Sequence, residues 1–383
     1  MDVRDFDFHL PPALIAQEPS AERGAGRLLL LHRDTGQIEH RLIADLPELL
    51  GAGDTLVVND TRVFPARLIG RRVPSGGAVE CLLIARRPGE AAGTASRPAT
   101  GQPREQNSEQ AGEQAGEQAG EQAGEQEWEA LLHPGQRLGP GATVVFDGPA
   151  AIHGEILARR FHGRRSIRLW TADGSSLDDA IDAIGHMPLP PYIKRPDRTD
   201  DRDRYQTIFA RQRGSIAAPT AGLHISRVLA AALARRGVAI AAITLHVGYG
   251  TFQPVRVERV EEHRLEPERY EVSAPAAAQI DRALDEGRRV VAVGTTTTRA
   301  LEAVARANGG RLAAAAGETD LFIHPGFGFR VIGGLMTNFH LPQSSLLMLV
   351  AAFAGRDRVM AAYAEAVAAG YRFYSYGDAM LIL

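Results

Sequence analysis

The distribution of apolar residues changes near Trp170, and this change constrains the fold more than any other feature of the chain. Between Arg67 and Trp170, apolar and polar residues alternate in short runs that Gly, Pro and Asp residues separate. The runs are RLIGRRV, GAVECLLIARR, EWEALLH, ATVVF, AIHGEILARRF and RRSIRLW. Alternation with a period of two predicts β-strands, and about six such strands in succession predict a small antiparallel β-barrel, closed or nearly closed.

Beyond Trp170, segments with a helical period alternate with strand-like segments. The first is SLDDAIDAIG; later SRVLAAALARRG precedes VAIAAITLHV, and APAAAQIDRALDEG precedes RRVVAVGT. This alternation predicts a layered α/β domain with a substantially parallel sheet. Two strand-like runs near the N-terminus, RLLLLHR and DTLVVND, have no partners of their own. We therefore expect a discontinuous α/β domain of residues 1–66 and 171–383, into which a β-barrel domain of residues 67–170 is inserted.

Residues 101–126 consist mainly of Gly, Gln and Glu and repeat the sequence EQAG. A segment with almost no large apolar side chains cannot bury a core. We therefore expect a disordered insertion that lengthens one hairpin loop of the barrel.

The bulk composition narrows the class of protein. A chain of 383 residues favours two domains. The single cysteine, Cys81, excludes a disulfide framework within the chain and a cysteine-rich zinc site, and it fits a reducing compartment. The first residues are acidic and lack the pattern of a signal peptide, so we expect a soluble, cytoplasmic protein. A net charge of -3 argues against a generally basic surface for nucleic acid, but it permits a local arginine patch.

The segment from Gly214 to Ser226, GSIAAPTAGLHIS, has neither a helical nor a strand period. Small residues around Pro219 let a ligand approach the backbone closely, which is typical of the wall of a binding site. An alanine-rich loop that only leads into the next helix is the alternative. Two later segments, LHVGYGTFQPV and MTNFHLPQSS, share the same mixture of Gly or Pro, Thr or Ser, an aromatic residue and a His.

His224, His246 and His340 each lie within or beside one of these segments. A single histidine is often only a hydrogen-bonded structural residue, but three in similar contexts favour convergence on one cleft. Their spacing fits no zinc signature, so we expect no metal site and favour proton transfer or hydrogen bonding.

Polar residues also lie at the predicted ends of strands. Gly294 and the threonines that follow it lead from a buried strand into a helix, whose first amides are suited to carboxylate or phosphate groups. Alternatively, one threonine only caps the helix. Residues 59–62, Asn-Asp-Thr-Arg, also follow a hydrophobic strand, where ligands often bind, although a turn or a helix cap explains them nearly as well.

Two further pairs of residues are candidates for ligand contacts. Glu318 and Asp320 are suited to a cationic ligand or to a solvated turn. Tyr249 and Phe252 are suited to a base or a sulfonium cation, or to ordinary core packing. Residues 192–214 mix Arg and Asp densely, which indicates either a salt-bridged loop or an arginine-bearing loop that contacts phosphates.

Taken together, these segments resemble the S-adenosylmethionine:tRNA ribosyltransferase-isomerase family of the queuosine pathway. The matching stretches are NDTRVFPARL, GHMPLPPYIKRPD, YQTIFA, GSIAAPTAGLHI, TLHVGYGTFQPVR, VGTTTTRALE, GETDLFIHPG, TNFHLPQSSLLMLVAAFAG and YSYGDAMLIL. The resemblance is weaker across the barrel, and no family counterpart of the EQAG tract is identified. Family members usually carry Ser and Val where this chain has Thr297 and Thr298, and Phe where it has Ile225.

The resemblance implies transfer and isomerisation of the ribosyl part of S-adenosylmethionine onto a 7-aminomethyl-7-deazaguanine base at the tRNA wobble position. Epoxyqueuosine is formed, and adenine and methionine are released. The sulfonium acidifies the adjacent ribose carbon, so a modest base can remove a proton there, while an acid or hydrogen-bond donor assists adenine departure. The opened sugar must be shielded from water until the amine attacks.

For this reaction, His224, His246 and His340 are candidates for the base, the acid or the donor, without individual roles. The candidate contacts to S-adenosylmethionine are Thr220, Tyr249, Thr251, Phe252, Gly294, Thr295, Thr296, Glu318, Asp320 and Asn338. Among them, the two carboxylates would face the methionine amine or the sulfonium, and the segment from Gly294 to Thr297 would hold a carboxylate. The candidate tRNA contacts are Arg62, Arg195 and Arg213. We expect a monomer without a tightly bound cofactor and without membrane contacts.

Two other functions compete with this interpretation. A conventional methyltransferase would carry a glycine-rich loop after its first strand, and none is evident. A non-catalytic RNA-binding protein would use the barrel as a platform similar to an OB-fold, but its strands contain few of the aromatic residues that this requires.

Overall fold

The computed structural model of the chain describes residues 1–87, 125–252 and 254–383. The tract predicted to be disordered, residues 101–126, lies outside the described residues except for its last two. Glu125 and Gln126 begin a strand and pair with Trp170 and Leu169, so the prediction of a loop is wrong for these two residues. Ladder hydrogen bonds form between backbone groups, and they do not require apolar side chains.

The α-helices and β-strands are numbered in chain order. The α-helices are α1 Leu46–Leu49, α2 Leu177–Ile184, α3 Asp201–Arg204, α4 Arg227–Arg235, α5 Ala274–Asp285, α6 Thr295–Ala307, α7 Ser345–Ala354 and α8 Arg356–Ala368. The strands are β1 Arg27–Leu31, β2 Ile38–Leu42, β3 Thr55–Asn59, β4 Thr61–Val63, β5 Arg67–Val73, β6 Ala78–Arg87, β7 Glu125–His133, β8 Thr143–Phe146, β9 Ile152–Arg159, β10 Arg164–Thr171, β11 Gln212–Ser215, β12 Ala239–Leu245, β13 Glu268–Val272, β14 Val290–Val293, β15 Ala315–Thr319, β16 Gly334–Asn338 and β17 Ala379–Ile382. Short 3-10 helices cover Val3–Phe6, Pro12–Leu14, Ile43–Asp45, Gly135–Arg137, Phe161–Gly163, Thr220–His224, Tyr249–Phe252 and Val260–Glu262.

The chain forms two compact units, one of Met1–Ala66 with Met187–Leu383 and one of Arg67–His186. The second boundary therefore follows His186, whereas the apolar pattern predicts it after Trp170. Helix α2 accounts for the difference, because it packs on β9 and β10 and buries Leu177 and Ile181. A helical period shows that a face is buried, but it does not show which core buries that face.

The larger unit is built on a nine-stranded sheet with the order β15-β13-β12-β3-β14-β16-β17-β1-β2. The neighbours β12, β3, β14 and β16 are parallel, and β17 is parallel to β1. The remaining pairs are antiparallel, so the sheet is mixed: the four consecutive strands from β12 to β16 are parallel as expected, and the antiparallel pairs lie on either side of them. Alternation of helices and strands reveals crossovers, but it does not reveal that the final strand, β17, inserts between β16 and β1.

Helices cover both faces of this sheet, which gives the layered α/β architecture expected from the sequence. In β1, Leu29 and Leu31 pack in one core with helices α5 to α8, and Leu28 and Leu30 pack in the other with α1 and α4. Successive side chains of a strand point to opposite faces, so a run of four leucines buries both faces of the sheet.

The smaller unit contains a closed antiparallel barrel with the strand order β10-β7-β6-β5-β8-β9, which confirms the predicted six-stranded barrel. Gly70 lets β5 and β8 approach closely, since a Cβ atom there would lie 2.3 Å from the carbonyl oxygen of Val145. Cys81 is buried in the barrel, and burial raises the pKa of its thiol well above the ordinary value. The thiol is therefore protonated at neutral pH.

Across the described parts of the chain, every helix is too short or too polar to cross a lipid bilayer.

Candidate active site

A cavity of about 360 Å3 lies where the parallel strands of the larger unit end. Val247 follows β12, Gly294 follows β14, and Asn338 ends β16; all three line the cavity. The carboxyl ends of parallel strands meet at the same edge of a sheet, which is the usual position of ligands in α/β folds. The segments GSIAAPTAGLHIS, VGTTTTR and MTNFHLPQSS, which are far apart in the sequence, therefore line one cavity.

Asn59 joins two of these strand ends. Its Oδ1 accepts from the backbone nitrogens of Thr61 and Leu245 at 3.0 and 3.1 Å, and its Nδ2 donates to the carbonyl oxygen of Leu245 at 2.9 Å. The same Nδ2 lies 3.5 Å from Oγ1 of Thr296. Asn59 is buried and does not line the cavity, so it positions the cavity wall instead of contacting a ligand.

The predicted wall, GSIAAPTAGLHIS, continues from β11 into a 3-10 helix, Thr220–His224. Ala217, Ala218, Pro219, Thr220 and Ala221 line the cavity. Small side chains keep the wall thin, so a ligand can approach the backbone.

Gly294 turns the chain from β14 into α6, and its φ of 94° with ψ of 155° is a conformation that almost only glycine adopts. Thr295 and Thr296 follow and line the cavity. The next two threonines do not face a ligand, because Thr297 Oγ1 donates to the carbonyl oxygen of Val293 at 2.7 Å and Thr298 Oγ1 donates to that of Gly294 at 3.2 Å.

His340 is buried and lines the cavity. Its Nε2 is 2.8 Å from Oγ1 of Thr337, and its backbone nitrogen donates to the hydroxyl oxygen of Tyr363 at 3.0 Å. Burial lowers the pKa of His340 to about 3, so the imidazole is neutral at physiological pH.

His224 is buried behind the cavity and does not line it. Its Nε2 is 3.0 Å from Nδ2 of Asn338, which does line the cavity. Burial lowers the pKa of His224 to about 4, although Asp378 opposes the shift, and the ring is neutral at physiological pH.

His246 lies outside the cavity lining, next to Val247, which belongs to it. Its Nδ1 is 2.8 Å from Oγ1 of Thr61, which is in turn 2.8 Å from Oγ of Ser215. Burial, assisted by the charge of Arg269, lowers the pKa of His246 to about 4. The three predicted histidines therefore occupy three different positions: in the cavity lining, behind Asn338, and beside Thr61.

A buried ion pair holds the loop after β12. Arg299 of α6 pairs with Glu268 of β13, and Oε1 of Glu268 accepts from the backbone nitrogen of Gly248 at 2.8 Å and lies 3.4 Å from Oγ1 of Thr251. Thr251 lines the cavity. Arg299 also donates to the carbonyl oxygen of Leu321 at 2.9 Å.

Several residues that line the cavity were not predicted as site residues from the sequence. Tyr192, Tyr205, Tyr374 and Ser375 all line the cavity. The rings of Tyr192 and Tyr374 are 4.4 Å apart between centroids, and burial raises the pKa of Tyr192 to about 12. A signal was present, because these residues lie in the family-like stretches GHMPLPPYIKRPD, YQTIFA and YSYGDAMLIL.

Backbone strain is concentrated at the cavity. Among the described residues, only Gln343 and Tyr374 combine a side chain with a positive φ, at 57° and 72°, and both line the cavity. Such conformations cost about 1–3 kcal/mol each and are found preferentially at functional sites.

Other predicted contacts lie elsewhere. Glu318 and Asp320 are exposed at the end of β15, and neither they nor Tyr249 line the cavity. The side chain of Phe252 lies outside the described part of the chain.

The three predicted tRNA-binding arginines are in two environments. Arg62 and Arg213 face each other in the register of the parallel pair β4 and β11, and Arg62 is exposed. The Arg213 guanidinium lies 4.9 Å from the centroid of the Phe64 ring. Arg195 instead pairs with Asp201, and its side chain is 13% exposed.

The cavity has an uncharged lining. In the parts of the chain that the structure describes, it contains no Asp, Glu, Lys or Arg side chain. The described residues also contain no group of three His, Cys, Asp or Glu side chains that is arranged to hold a metal ion.

Comparison with known proteins relates this architecture to one family. The profile of the family described as "Queuosine biosynthesis protein" matches residues 3–382. Proteins named S-adenosylmethionine:tRNA ribosyltransferase-isomerase from Desulfitobacterium hafniense and Solibacter usitatus are 47% and 46% identical over 383 residues, which cover all of this chain and all of each relative. A crystal structure of S-adenosylmethionine tRNA ribosyltransferase from Thermotoga maritima is 36% identical, with a TM-score of 0.51, and the match covers 99% of this chain and 100% of that chain. The chain therefore belongs to the queuosine biosynthesis protein family.

Proposed function

We propose that this protein transfers and isomerises the ribosyl part of S-adenosylmethionine onto 7-aminomethyl-7-deazaguanine at the tRNA wobble position. The reaction gives epoxyqueuosine-tRNA and releases adenine and methionine. Membership of the family supports this assignment, and the observation that carries it is the convergence of most of the family-like segments on one cavity without charged side chains in its lining. The reaction needs an opened sugar to be shielded from water, and a cavity with few polar groups favours this.

His340 is the candidate for the group that moves a proton, because it lines the cavity and is neutral. Burial makes this imidazole a weak base, so it is suited to a transient proton transfer or to a hydrogen bond; because Nε2 contacts Thr337, Nδ1 is the ring atom left for a ligand. His246 remains a second candidate through its contact with Thr61.

The candidate contacts to S-adenosylmethionine fall into two groups. Thr220, Thr251, Gly294, Thr295, Thr296 and Asn338 line the cavity, which supports their assignment. For Glu318 and Asp320, contact with the methionine amine or the sulfonium stays a prediction, and for Tyr249 and Phe252, contact with a base or with the sulfonium stays one. If Glu318→Ala leaves the dissociation constant for S-adenosylmethionine unchanged, Glu318 does not contact the cosubstrate. If a bulky residue in place of Thr296 leaves binding intact, the N-terminus of helix α6 does not contact it.

The tRNA is proposed to contact Arg62 and Arg213, whose backbones are adjacent. Arg195 is a weaker candidate, since its guanidinium already bonds to Asp201. We further propose that the protein acts in the cytoplasm as a monomer, without a tightly bound cofactor.

The decisive experiment is product analysis with labelled S-adenosylmethionine and tRNA that carries the precursor base. Adenine and methionine should appear in equal amounts with modified tRNA. His340→Gln should abolish turnover and retain binding of S-adenosylmethionine. Formation of S-adenosylhomocysteine would instead identify a methyltransferase, and binding of tRNA without any product would identify a non-catalytic RNA-binding protein.

A further inference from the structure

The side chain of Asn338 has one polar atom without a partner. Asn338 is 2% exposed and lines the cavity. Its Nδ2 donates to the carbonyl oxygen of Tyr374 at 3.0 Å and lies 3.0 Å from Nε2 of His224, whereas its Oδ1 is buried and makes no hydrogen bond. A buried acceptor without a partner costs free energy, so a bound group that supplies the missing donor would be stabilised there.

The orientation of this amide is determined by its neighbours. The Tyr374 carbonyl oxygen can only accept, so the group that faces it must be Nδ2. His224 is neutral, and its Nε2 accepts the second proton of Nδ2 when its own proton is on Nδ1. Both bonds leave Oδ1 as the one polar side-chain atom of Asn338 that can still accept a hydrogen bond.

The residues around Asn338 restrict which ligand group can donate a hydrogen bond to its Oδ1. Within the described residues the cavity lining carries no charged side chain, and a cationic ligand group there would lose its hydration without a counterion. Tyr192 and Tyr374 add aromatic surface to the lining. A fixed acceptor beside aromatic walls suits a flat, uncharged heterocycle that carries an N–H donor in its plane.

We propose that Asn338 Oδ1 accepts a hydrogen bond from the exocyclic amino group of the adenine base, and that His224 is the positioning residue that orients the Asn338 amide. This inference rests on the proposed function, because it takes S-adenosylmethionine as the cosubstrate. The uncharged adenine base then lies beside Asn338, and the cationic sulfonium and amine lie away from it, which leaves a carboxylate contact with the N-terminus of α6 possible. His224 is consequently not the group that transfers the proton.

Binding of adenosine and of purine riboside, which lacks only the amino group, tests the contact without altering the protein. Isothermal titration should show adenosine binding about tenfold more tightly, as expected for one hydrogen bond to an otherwise unsatisfied buried acceptor. Equal affinities, or no detectable binding of adenosine, would overturn the proposal. A larger loss of affinity with 2′-deoxyadenosine or 3′-deoxyadenosine than with purine riboside would also overturn the proposal, since Oδ1 would then bind a ribose hydroxyl.

Variants test the role of His224. His224→Leu should abolish the preference for adenosine over purine riboside, and His224→Gln, whose side-chain oxygen can accept from Asn338, should restore it. Loss of the preference in both variants, with thermal stability retained in the second, would overturn the positioning role. Asn338→Leu should bind both nucleosides equally.

Release of adenine from S-adenosylmethionine in the presence of tRNA tests the proposed function separately. If the protein releases adenine normally but does not prefer adenosine to purine riboside, only this inference is refuted and the proposed function stands.

Discussion

Arg299 and Glu268 form an ion pair in which each side chain is only 6% exposed. The pair connects helix α6 to strand β13 and, through Oε1 of Glu268, to the backbone of Gly248. Removing one partner of a buried pair leaves the other charge uncompensated, which destabilises a protein far more than the loss of an exposed pair does.

Arg299→Met should lower the free energy of unfolding of the larger unit by about 3–5 kcal/mol. Far-ultraviolet circular dichroism during thermal unfolding is the appropriate measurement, because both tryptophans, Trp128 and Trp170, lie in the barrel and their fluorescence follows the smaller unit. The matched control is Arg311→Met, which breaks the pairs of a guanidinium that is 60% exposed and should change little. Equal melting temperatures for the two variants would contradict a stabilising role for the buried pair.

Acid should destabilise the protein through His224 and His340. Burial lowers both folded-state pKa values, to about 4 and about 3, from an ordinary value of 6.5, so the folded state favours the neutral rings. The contribution of the two neutral rings to the free energy of unfolding is fully present above pH 6.5. It is lost as the pH falls toward the folded-state pKa values, at about 1.4 kcal/mol per pH unit for each ring. His340→Gln should flatten the dependence of stability on pH in this window, whereas the same substitution at the exposed His9 should not. An unchanged slope in His340→Gln would show that His340 does not titrate as proposed.

Gly214→Ala should displace the imidazole of His246. A Cβ atom at this position would lie 2.7 Å from Cε1 and Nδ1 of the ring, and the resulting shift would break the 2.8 Å contact with Thr61. If His246 acts in the reaction, kcat/KM should fall by about tenfold or more, since small misplacements of catalytic groups are costly. Gly328→Ala is the control, because a Cβ atom there meets open space. Unchanged kinetics in Gly214→Ala, with the ring shown to be displaced, would exclude His246 from the chemistry.

Arg62→Ala should weaken the binding of tRNA without changing the affinity for adenosine. If the side chain neutralises one phosphate, the slope of log affinity against log salt concentration should decrease by about 0.7–0.9. Arg282→Ala removes an exposed arginine from helix α5 and should leave that slope unaltered. A wild-type affinity that does not depend on salt would contradict phosphate contacts altogether.

The sequence by itself determined the local elements and the family. Alternation of period two located all six barrel strands, and helical periods located α4, α5 and α6, because side-chain spacing along one element depends only on that element's geometry. Irregular runs such as GSIAAPTAGLHIS indicated a site, since small residues and proline restrict or free the backbone locally.

Only the tertiary structure decided which of these elements meet. It assigned α2 to the barrel and inserted β17 between β16 and β1. It also separated His224 from the cavity by the amide of Asn338 and brought Tyr192 to Tyr374. Such contacts join residues far apart in the chain, and they depend on how whole faces pack against one another. No periodicity within a single segment contains that information.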